Sequence, residues 1–322
     1  MILAGVDEAG YGPLLGPLVV GACAFRVNDE PSDQIPCLWT RLRGSVGRSR
    51  SKRGTKLHIN DSKAVYSPAV GIKELERSVL ALATHVHGWS DSLAELLSRL
   101  APDAVADFDG YPWYCNPANE EFPLAQQSVS VRISANSLIA DMTQKQAPCV
   151  YFAARILCER QWNRMLNATR NKANALFSVA AIHLDAFIRN FGRQNLTIVC
   201  DQQGGRRHYG HLLRLMFDEW SLEVVNEDDH RSEYRLIQDG HAVRLIFMEK
   251  SESQSLPTAA ASMVSKYLRE ALMRRFNAFW LSHLPSLEPT AGYYTDGLRF
   301  LRDIQQKRTE LGIADGELIR CR

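Results

Sequence analysis

The opening residues constrain the fold most strongly, because an apolar segment runs directly into two acidic residues and a glycine-rich turn. Residues 1–6 are apolar, Asp7 and Glu8 follow, and Gly10-Tyr11-Gly12 comes next. Residues 18–27 then form a second segment, rich in the small and β-branched side chains that favour a strand. The pattern predicts two strands joined by a tight turn, the glycine turn (Gly10-Tyr11-Gly12), with a carboxylate pair at the end of the first strand.

A third acidic residue ends another predicted strand. Residues 196–200 are mostly apolar, Asp201 follows them, and residues 202–205 continue as Gln-Gln-Gly-Gly. The chain before them predicts a strand over 149–157 and a helix over 171–191. In α/β proteins the carboxyl ends of strands are the usual location of catalytic residues. Asp201 is therefore a second candidate site residue.

The rest of the chain predicts a mixed β-sheet flanked by helices. Residues 87–147 form an insertion or subdomain with helices near 93–100 and 129–144, and strands near 222–225, 234–237 and 242–248 include an Asp-Gly hairpin turn. Helical patterns follow at 258–276 and 296–309. We therefore expect a catalytic domain over 1–275, with an insertion about 87–147 and an extra hairpin about 222–248. A C-terminal helical extension over 276–322 would complete the substrate groove.

Charge and cysteine content limit the class of protein. The formal net charge is only +2, so nucleic-acid binding depends on where basic residues lie. Residues 41–56 hold seven basic residues and no acid, which suits either a flexible solvated loop or a nucleic-acid contact. The seven cysteines are scattered without a zinc-ligand spacing. With charge appearing by residue 7 and no membrane-length apolar segment, we expect a cytoplasmic protein with no membrane contact and no obligate protein partner.

Four carboxylates stand where strands meet loops or where a helix begins: Asp7, Glu8, Asp201 and Glu252. Alone, each has an ordinary explanation as a turn residue, a cap or an acid near a helix N-terminus. Crowded acids repel one another, so a shared site is best explained by a cation. Hard oxygen ligands select Mg²⁺ or Mn²⁺, and two such ions can promote phosphodiester cleavage.

Five segments, in order, resemble the motifs of the type 2 ribonucleases H, the bacterial HII and HIII enzymes. The opening run GVDEAGYGPLLGPLVV is similar to the first motif of that family. The other four are Asn60-Asp61-Ser62-Lys63, Asn167-Ala168-Thr169-Arg170-Asn171-Lys172-Ala173 as a helix start, Ser251-Glu252-Ser253 with Ala259-Ala260-Ala261-Ser262, and Gly292-Tyr293-Tyr294-Thr295.

The resemblance implies a ribonuclease H-like fold and metal-dependent hydrolysis of the RNA strand of RNA–DNA hybrids. By the motif match, Asp7, Glu8, Asp201 and Glu252 would be catalytic metal ligands. The match also implies contacts to nucleic acid by Gly10, Tyr11, Gly12, Lys63, Ser262 and Tyr293. Of these, Lys63 would meet backbone phosphate, the glycine turn would approach the ribose 2′-hydroxyl, and Tyr293 would stack on a sugar or base.

Two residues depart from the ribonuclease HII pattern, Tyr11 and Glu252. Tyr11 stands where the HII turn usually has arginine, which leaves open whether the substrate is a long hybrid or a single embedded ribonucleotide. Glutamate at position 252 is more similar to HIII. Two other functions stay open on the sequence: a non-catalytic binder of hybrid or RNA on the same scaffold, and a nuclease of this fold that cuts DNA.

Overall fold

A computed structural model describes residues 1–28, 34–51, 54–115 and 120–321. Within them, the strands are β1 (Ile2–Ala9), β2 (Leu18–Arg26), β3 (Val46–Gly47), β4 (Leu57–His58), β5 (Cys149–Leu157), β6 (Leu196–Asp201), β7 (Ser221–Glu227), β8 (Arg231–Gln238) and β9 (His241–Met248). The helices are α1 (Leu38–Arg41), α2 (Ser62–Val65), α3 (Lys73–His87), α4 (Leu93–Leu100), α5 (Pro102–Phe108), α6 (Ser128–Gln144), α7 (Glu159–Thr169), α8 (Lys172–Phe191), α9 (Gly210–Met216), α10 (Leu256–His283), α11 (Tyr294–Asp303), α12 (Gln305–Glu310) and α13 (Asp315–Leu318). A 3-10 turn covers Ser251–Ser253.

Seven strands form one sheet in the order β5-β2-β1-β6-β9-β8-β7. Strand β6 runs parallel to both β1 and β9, and the other neighbouring pairs are antiparallel. Alternate residues of β1 enter two separate hydrophobic cores, one packed against α10 and the other against α8. The predicted class, a mixed sheet flanked by helices, is confirmed.

Helix α10 lies directly on the sheet because β1 and β2 present glycine beneath it. A Cβ atom at Gly5 would lie 2.2 Å from the backbone nitrogen of Thr258, and one at Gly21 would lie 2.4 Å from the carbonyl oxygen of Ala261. No side chain fits at either position. This close approach brings the polar residues of α10 within reach of the end of β1.

The predicted division at residues 275–276 falls inside α10, which is continuous from Leu256 to His283. The division therefore does not separate two elements of structure. In the predicted insertion, helices lie at both expected places, and the aromatic segment between them is buried. Trp113 is 1% exposed and contacts Phe276 and Trp280 of α10, so this segment packs in the core.

The basic segment 41–56 is anchored to the protein body, which argues against the flexible-loop alternative over its described part. Val46 and Gly47 pair in parallel with Leu57 and His58, and Ser45 donates from its backbone and hydroxyl to Asp141. Residues 52–53 of this segment lie outside the described residues. Among the helices that the structure describes, none is both long and apolar enough to cross a membrane.

Candidate metal and nucleic-acid site

Sheet pairing brings two of the predicted acids side by side. Val6 of β1 is paired with Cys200 of the parallel strand β6, so Asp7 and Asp201, the next residues, stand at the carboxyl ends of neighbouring strands. Glu8 follows Asp7. Strand β9 also runs parallel to β6 and leads into the 3-10 turn that carries Glu252. Three strand ends thus deliver the four predicted carboxylates, hereafter the carboxylate cluster (Asp7, Glu8, Asp201 and Glu252), to one edge of the sheet.

The pKa values of the cluster show that its members act on one another. Burial raises the pKa of Asp7, and the charges of Glu8 and Asp201 raise it further. Burial and then Asp201 raise the pKa of Glu8 to about 8. The pKa of Glu252 rises to about 7 through burial, with Asp201 and Asp61 adding to it. Each group therefore resists ionisation beside its neighbours, and a cation would reverse that preference.

The donor atoms suit a hard divalent cation. Glu8 Oε2 and Glu252 Oε2 are buried and have no hydrogen-bond partner among the described residues, and carboxylate oxygens are the ligands that Mg²⁺ and Mn²⁺ prefer. Across the same described residues, however, no group of three or more histidine, cysteine, aspartate or glutamate side chains has metal-holding geometry. The cluster therefore fits such a cation by the chemistry of its donor atoms, although its side chains as placed do not form a metal-holding group.

Neighbouring hydroxyl groups orient the two aspartates. Ser251 donates to Asp201 Oδ1 from its backbone nitrogen and its hydroxyl, each at 3.2 Å, and both bonds lower the pKa of Asp201 against the effect of burial. A hydrogen bond from the Ser262 side chain similarly lowers the pKa of Asp7. Ser262 is only 3% exposed. This predicted substrate contact is therefore buried next to Asp7 and does not face solvent.

Lys63 is exposed beside the carboxylate cluster. Its positive charge lowers the pKa of both Glu8 and Asp201. The position of Lys63 is fixed by its neighbours: Asp61 caps α2 by accepting from Lys63 N at 3.0 Å, and the Ser262 hydroxyl donates to Ser62 Oγ at 3.0 Å. The second and fourth motifs are therefore in contact, with a cation facing the acids.

The glycine turn follows β1 directly. Gly10 has φ +89°, and a Cβ there would lie 2.6 Å from Pro17 O, so only glycine fits. A Cβ at Gly12 would meet no atom within 4 Å, which leaves that side of the turn open. The Tyr11 ring packs edge-on against Trp162, at 6.3 Å between centroids, with the Lys172 ammonium 4.7 Å from the Tyr11 ring centroid.

Tyr293 is linked to the segment after the glycine turn through its preceding residue. The Gly292 carbonyl accepts from the backbone nitrogens of Leu14 and Leu15 at 2.7 and 3.1 Å. The Tyr293 ring is 53% exposed, and the guanidinium carbon of Arg269 lies 5.9 Å from its centroid. An exposed ring held beside the turn is open to stacking, unlike a core residue.

The third motif spans the junction between α7 and α8. Asn167-Ala168-Thr169 ends α7, and Asn171-Lys172-Ala173 begins α8. Arg170 follows in the left-handed conformation, and Asn171 caps α8 by accepting from the backbone nitrogen of Asn174 at 3.0 Å. The helix predicted over 171–191 is therefore α8, whereas α7, which ends two residues before the Asn171 cap, was not predicted from the sequence.

Two further residues were not singled out from the sequence. Asp61 is a fifth acid near the cluster, since its charge raises the pKa of Glu252. Its place in the second motif could have identified it as a site residue. Arg48 lies in the basic segment, where its guanidinium stacks 3.9 Å from the Trp39 ring centroid and donates to the Ser253 carbonyl at 2.6 Å. Arg48 thus ties the basic segment to the turn that carries Glu252, a contact between residues too distant in sequence to predict.

Known proteins with similar sequences agree with the motif resemblance. The chain is 29% identical over 145 residues to ribonuclease HII of Gluconobacter oxydans, covering 44% of this chain and 66% of that protein. It is 31% identical over 147 residues to ribonuclease HII of Clostridium botulinum, covering 43% of this chain and 49% of that protein. The matched region thus spans about half to two thirds of these relatives. No family model matches the chain.

Solved structures with a similar arrangement include ribonuclease HII of Archaeoglobus fulgidus in its complex with PCNA, at a TM-score of 0.47 and 15% identity, covering 100% of this chain and 95% of that one. Ribonuclease H2 of Pyrococcus horikoshii has a TM-score of 0.41 and 12% identity, covering 99% and 92%. The resemblance to the type 2 ribonucleases H, predicted from the motifs, is confirmed by the sequence relatives.

Proposed function

We propose that this divergent relative of the type 2 ribonucleases H is a metal-dependent endonuclease that hydrolyses the RNA strand of RNA–DNA hybrids. The observation that carries the proposal is the meeting of Asp7 and Asp201 at neighbouring parallel strand ends, with Glu8, Glu252 and Lys63 close enough to alter pKa values there. A protein that only binds nucleic acid gains nothing from four acids facing phosphate. The similarity to proteins named ribonuclease HII supports the same reaction.

The carboxylate cluster would hold Mg²⁺ or Mn²⁺, and we infer two ions. When bound, such ions activate water and stabilise the leaving oxygen in phosphodiester hydrolysis. The chain's own part is to bring acids together at the cost of mutual repulsion and to orient them. Ser251 performs the second task for Asp201 by donating to its carboxylate, and the Ser262 side chain lies close enough to Asp7 to lower its pKa.

The remaining predicted residues would bind the hybrid around the cut. Lys63 would offset the charge of the scissile phosphate, as an exposed ammonium beside the acids can. The open side of the glycine turn would let backbone atoms approach the ribose 2′-hydroxyl, the group that distinguishes RNA from DNA. Tyr293 would stack on a sugar or base next to it.

Cleavage of a labelled RNA–DNA hybrid tests this proposal. With Mg²⁺ or Mn²⁺ we expect cuts in the RNA strand only, and EDTA should stop them. Asp7→Asn and Asp201→Asn should each abolish cutting, whereas Asp185→Asn, which changes an aspartate ion-paired with Arg189 on α8, should not. Equal cutting by wild type and both site variants would overturn the proposal.

One observation favours a second candidate, a non-catalytic binder of hybrid or RNA: no three acids of the described residues have metal-holding geometry. Salt-dependent hybrid binding without metal-stimulated turnover would establish that function. An all-DNA duplex belongs in the same assay, because cutting it as readily as the hybrid would identify a DNA nuclease of this fold.

A further inference from the structure

Arg320 is a buried cation placed behind the glycine turn. Its side chain is 2% exposed, and its guanidinium donates to the carbonyl oxygens of Gly10 and Tyr11. Its backbone nitrogen donates to Leu14 O at 2.9 Å. One residue therefore binds the backbone of the turn at two positions and the segment after it at a third.

The chain around Arg320 is fixed to α7 on both sides. Asn163 donates to the Ile319 carbonyl at 2.8 Å and accepts from the Cys321 backbone nitrogen at 2.7 Å. Trp162 donates from its indole nitrogen to the Cys321 carbonyl at 3.0 Å. Since α7 packs against α8 in the body of the protein, Arg320 connects a rigid support to the turn.

The same support holds the Tyr11 side chain. The Arg320 guanidinium carbon lies 4.5 Å from the Trp162 ring centroid, and Tyr11 packs edge-on against that indole. Backbone and side chain of the middle residue of the turn are thus fixed by one cation and one aromatic ring. Tyr11 stands where the related enzymes usually have arginine, so its side chain here is used for packing against α7.

Burying a guanidinium is costly, and the hydrogen bonds of Arg320 show what this buried cation does. Burial and the nearby charge of Arg269 lower the pKa of Arg320 to about 10. Glu159 is near enough to raise that pKa, yet its carboxylate oxygens accept only from Tyr114 among the side chains that the structure describes. The guanidinium donates to carbonyl oxygens of the turn. These hydrogen bonds indicate that Arg320 fixes the conformation of the loop rather than forming an ion pair.

We propose that Arg320 is a positioning residue that sets the conformation of the glycine turn and thereby the preference of the protein for ribose over deoxyribose. This inference rests on the proposed function, in which the turn approaches the 2′-hydroxyl. Arg320 does not belong to the carboxylate cluster. Strand β1 is paired with β6 up to Val6 and with β2 up to Ala9, so loss of Arg320 should move the turn and leave the acids in place.

The test compares wild type with Arg320→Met and Arg320→Lys. The affinity for an RNA–DNA hybrid and for a DNA duplex of the same sequence is measured in EDTA, which keeps metal-dependent cutting out of the readout. We expect the hybrid preference of Arg320→Met to fall about tenfold to a hundredfold, as small displacements at a recognition site do. A lysine ammonium cannot donate to two carbonyls with the planar geometry of a guanidinium. Compared with Arg320→Met, Arg320→Lys should therefore recover thermal stability but little of the hybrid preference.

Arg275→Met is the matched control. Arg275 is a buried arginine that binds Glu120 and the Tyr114 carbonyl, so its loss should lower the melting temperature and leave the hybrid preference unchanged. Wild-type preference in Arg320→Met, full recovery in Arg320→Lys, or no preference in wild type would overturn the inference. A wild type that prefers hybrid through Arg320 but cuts nothing would contradict the proposed nuclease and support the role of Arg320.

Discussion

Glu159 provides a test of the buried electrostatics, away from the carboxylate cluster. It is the first residue of α7 and is 0% exposed. Its Oε1 accepts from the Tyr114 hydroxyl at 2.9 Å, while its Oε2 is buried without a partner among the described residues. Burial raises the pKa of Glu159 from 4.5 to about 7, although hydrogen bonds and the nearby charge of Arg320 act in the opposite direction.

The sign of the effect on stability follows from the direction of the pKa change. Because the folded state binds the Glu159 proton more tightly than the unfolded state does, this group stabilises the fold fully below pH 4.5. That contribution is lost as the pH rises through about 7. At about 1.4 kcal/mol per pKa unit, the rise from 4.5 to about 7 corresponds to at most about 3 kcal/mol.

Glu159→Gln keeps the shape and the acceptor for Tyr114 and removes the ionisation. We expect the variant and wild type to have similar free energies of unfolding at pH 4, and the variant to be more stable by up to about 3 kcal/mol at pH 8. Urea unfolding followed by tryptophan fluorescence, repeated from pH 4 to pH 8, measures the difference. Glu121→Gln, at an exposed glutamate, should follow wild type throughout. A loss of stability in Glu159→Gln that is the same at every pH would refute the reasoning, because it would mean that the folded protein keeps Glu159 ionised.

Two substitutions test how the site is held. Ser251→Ala removes the hydroxyl that donates to Asp201, so single-turnover cleavage of a hybrid should slow about tenfold. The control is Ser253→Ala, which removes a hydroxyl that donates to Lys250 O and should keep the wild-type rate. Slower cleavage by Ser253→Ala than by Ser251→Ala would contradict the role of Ser251. Gly10→Ala should lower the free energy of unfolding by about 1–3 kcal/mol because of the positive φ and the contact with Pro17, whereas Gly12→Ala has open space. Equal thermal unfolding of these two variants would contradict that account.

Local sequence patterns predicted the strands that carry the acids, because each is an apolar run ended by a charged residue. The strand over 149–157 and the end of β6 at Asp201 lie where the pattern predicted. The pairing of β1 with β6 follows from chain topology across about 190 residues, which no local pattern contains. The motif order supplied that information indirectly, through the resemblance.

The contacts that the sequence could not predict involve arginines and serines. Arg48 stands among polar neighbours that resemble a solvated loop, and no local pattern marks Arg320 as buried. The stacking of Arg48 and the burial of Arg320 depend on partners far along the chain, such as Ser253 and Gly10. Strand β3 of the basic segment was not predicted, because its pairing with β4 involves only two residues and so shows no apolar alternation. Such short pairings are stabilised by tertiary contacts and leave no periodic signal.

Helix α10 explains why motifs so far apart in sequence meet. Its polar residues Thr258, Ser262, Ser265 and Arg269 are spaced by four, three and four positions, which places them on one face. Each contacts a different part of the site: in order, the Val199 carbonyl of β6, Ser62 of the second motif, the Asp7 carbonyl, and the Leu15 carbonyl after the glycine turn.

The small residues beside that face are what allow these contacts. Ala259, Ala260 and Ala261 are 0% exposed, and the helix backbone rests against Gly5 and Gly21 of the sheet. Larger side chains would lift α10 and break all four polar contacts together, since they share one rigid element. The Ala-Ala-Ala-Ser run of the fourth motif is therefore a packing requirement for the whole site. The alanines set the distance between helix and sheet. At that distance the Ser262 side chain lies next to Ser62 and Asp7.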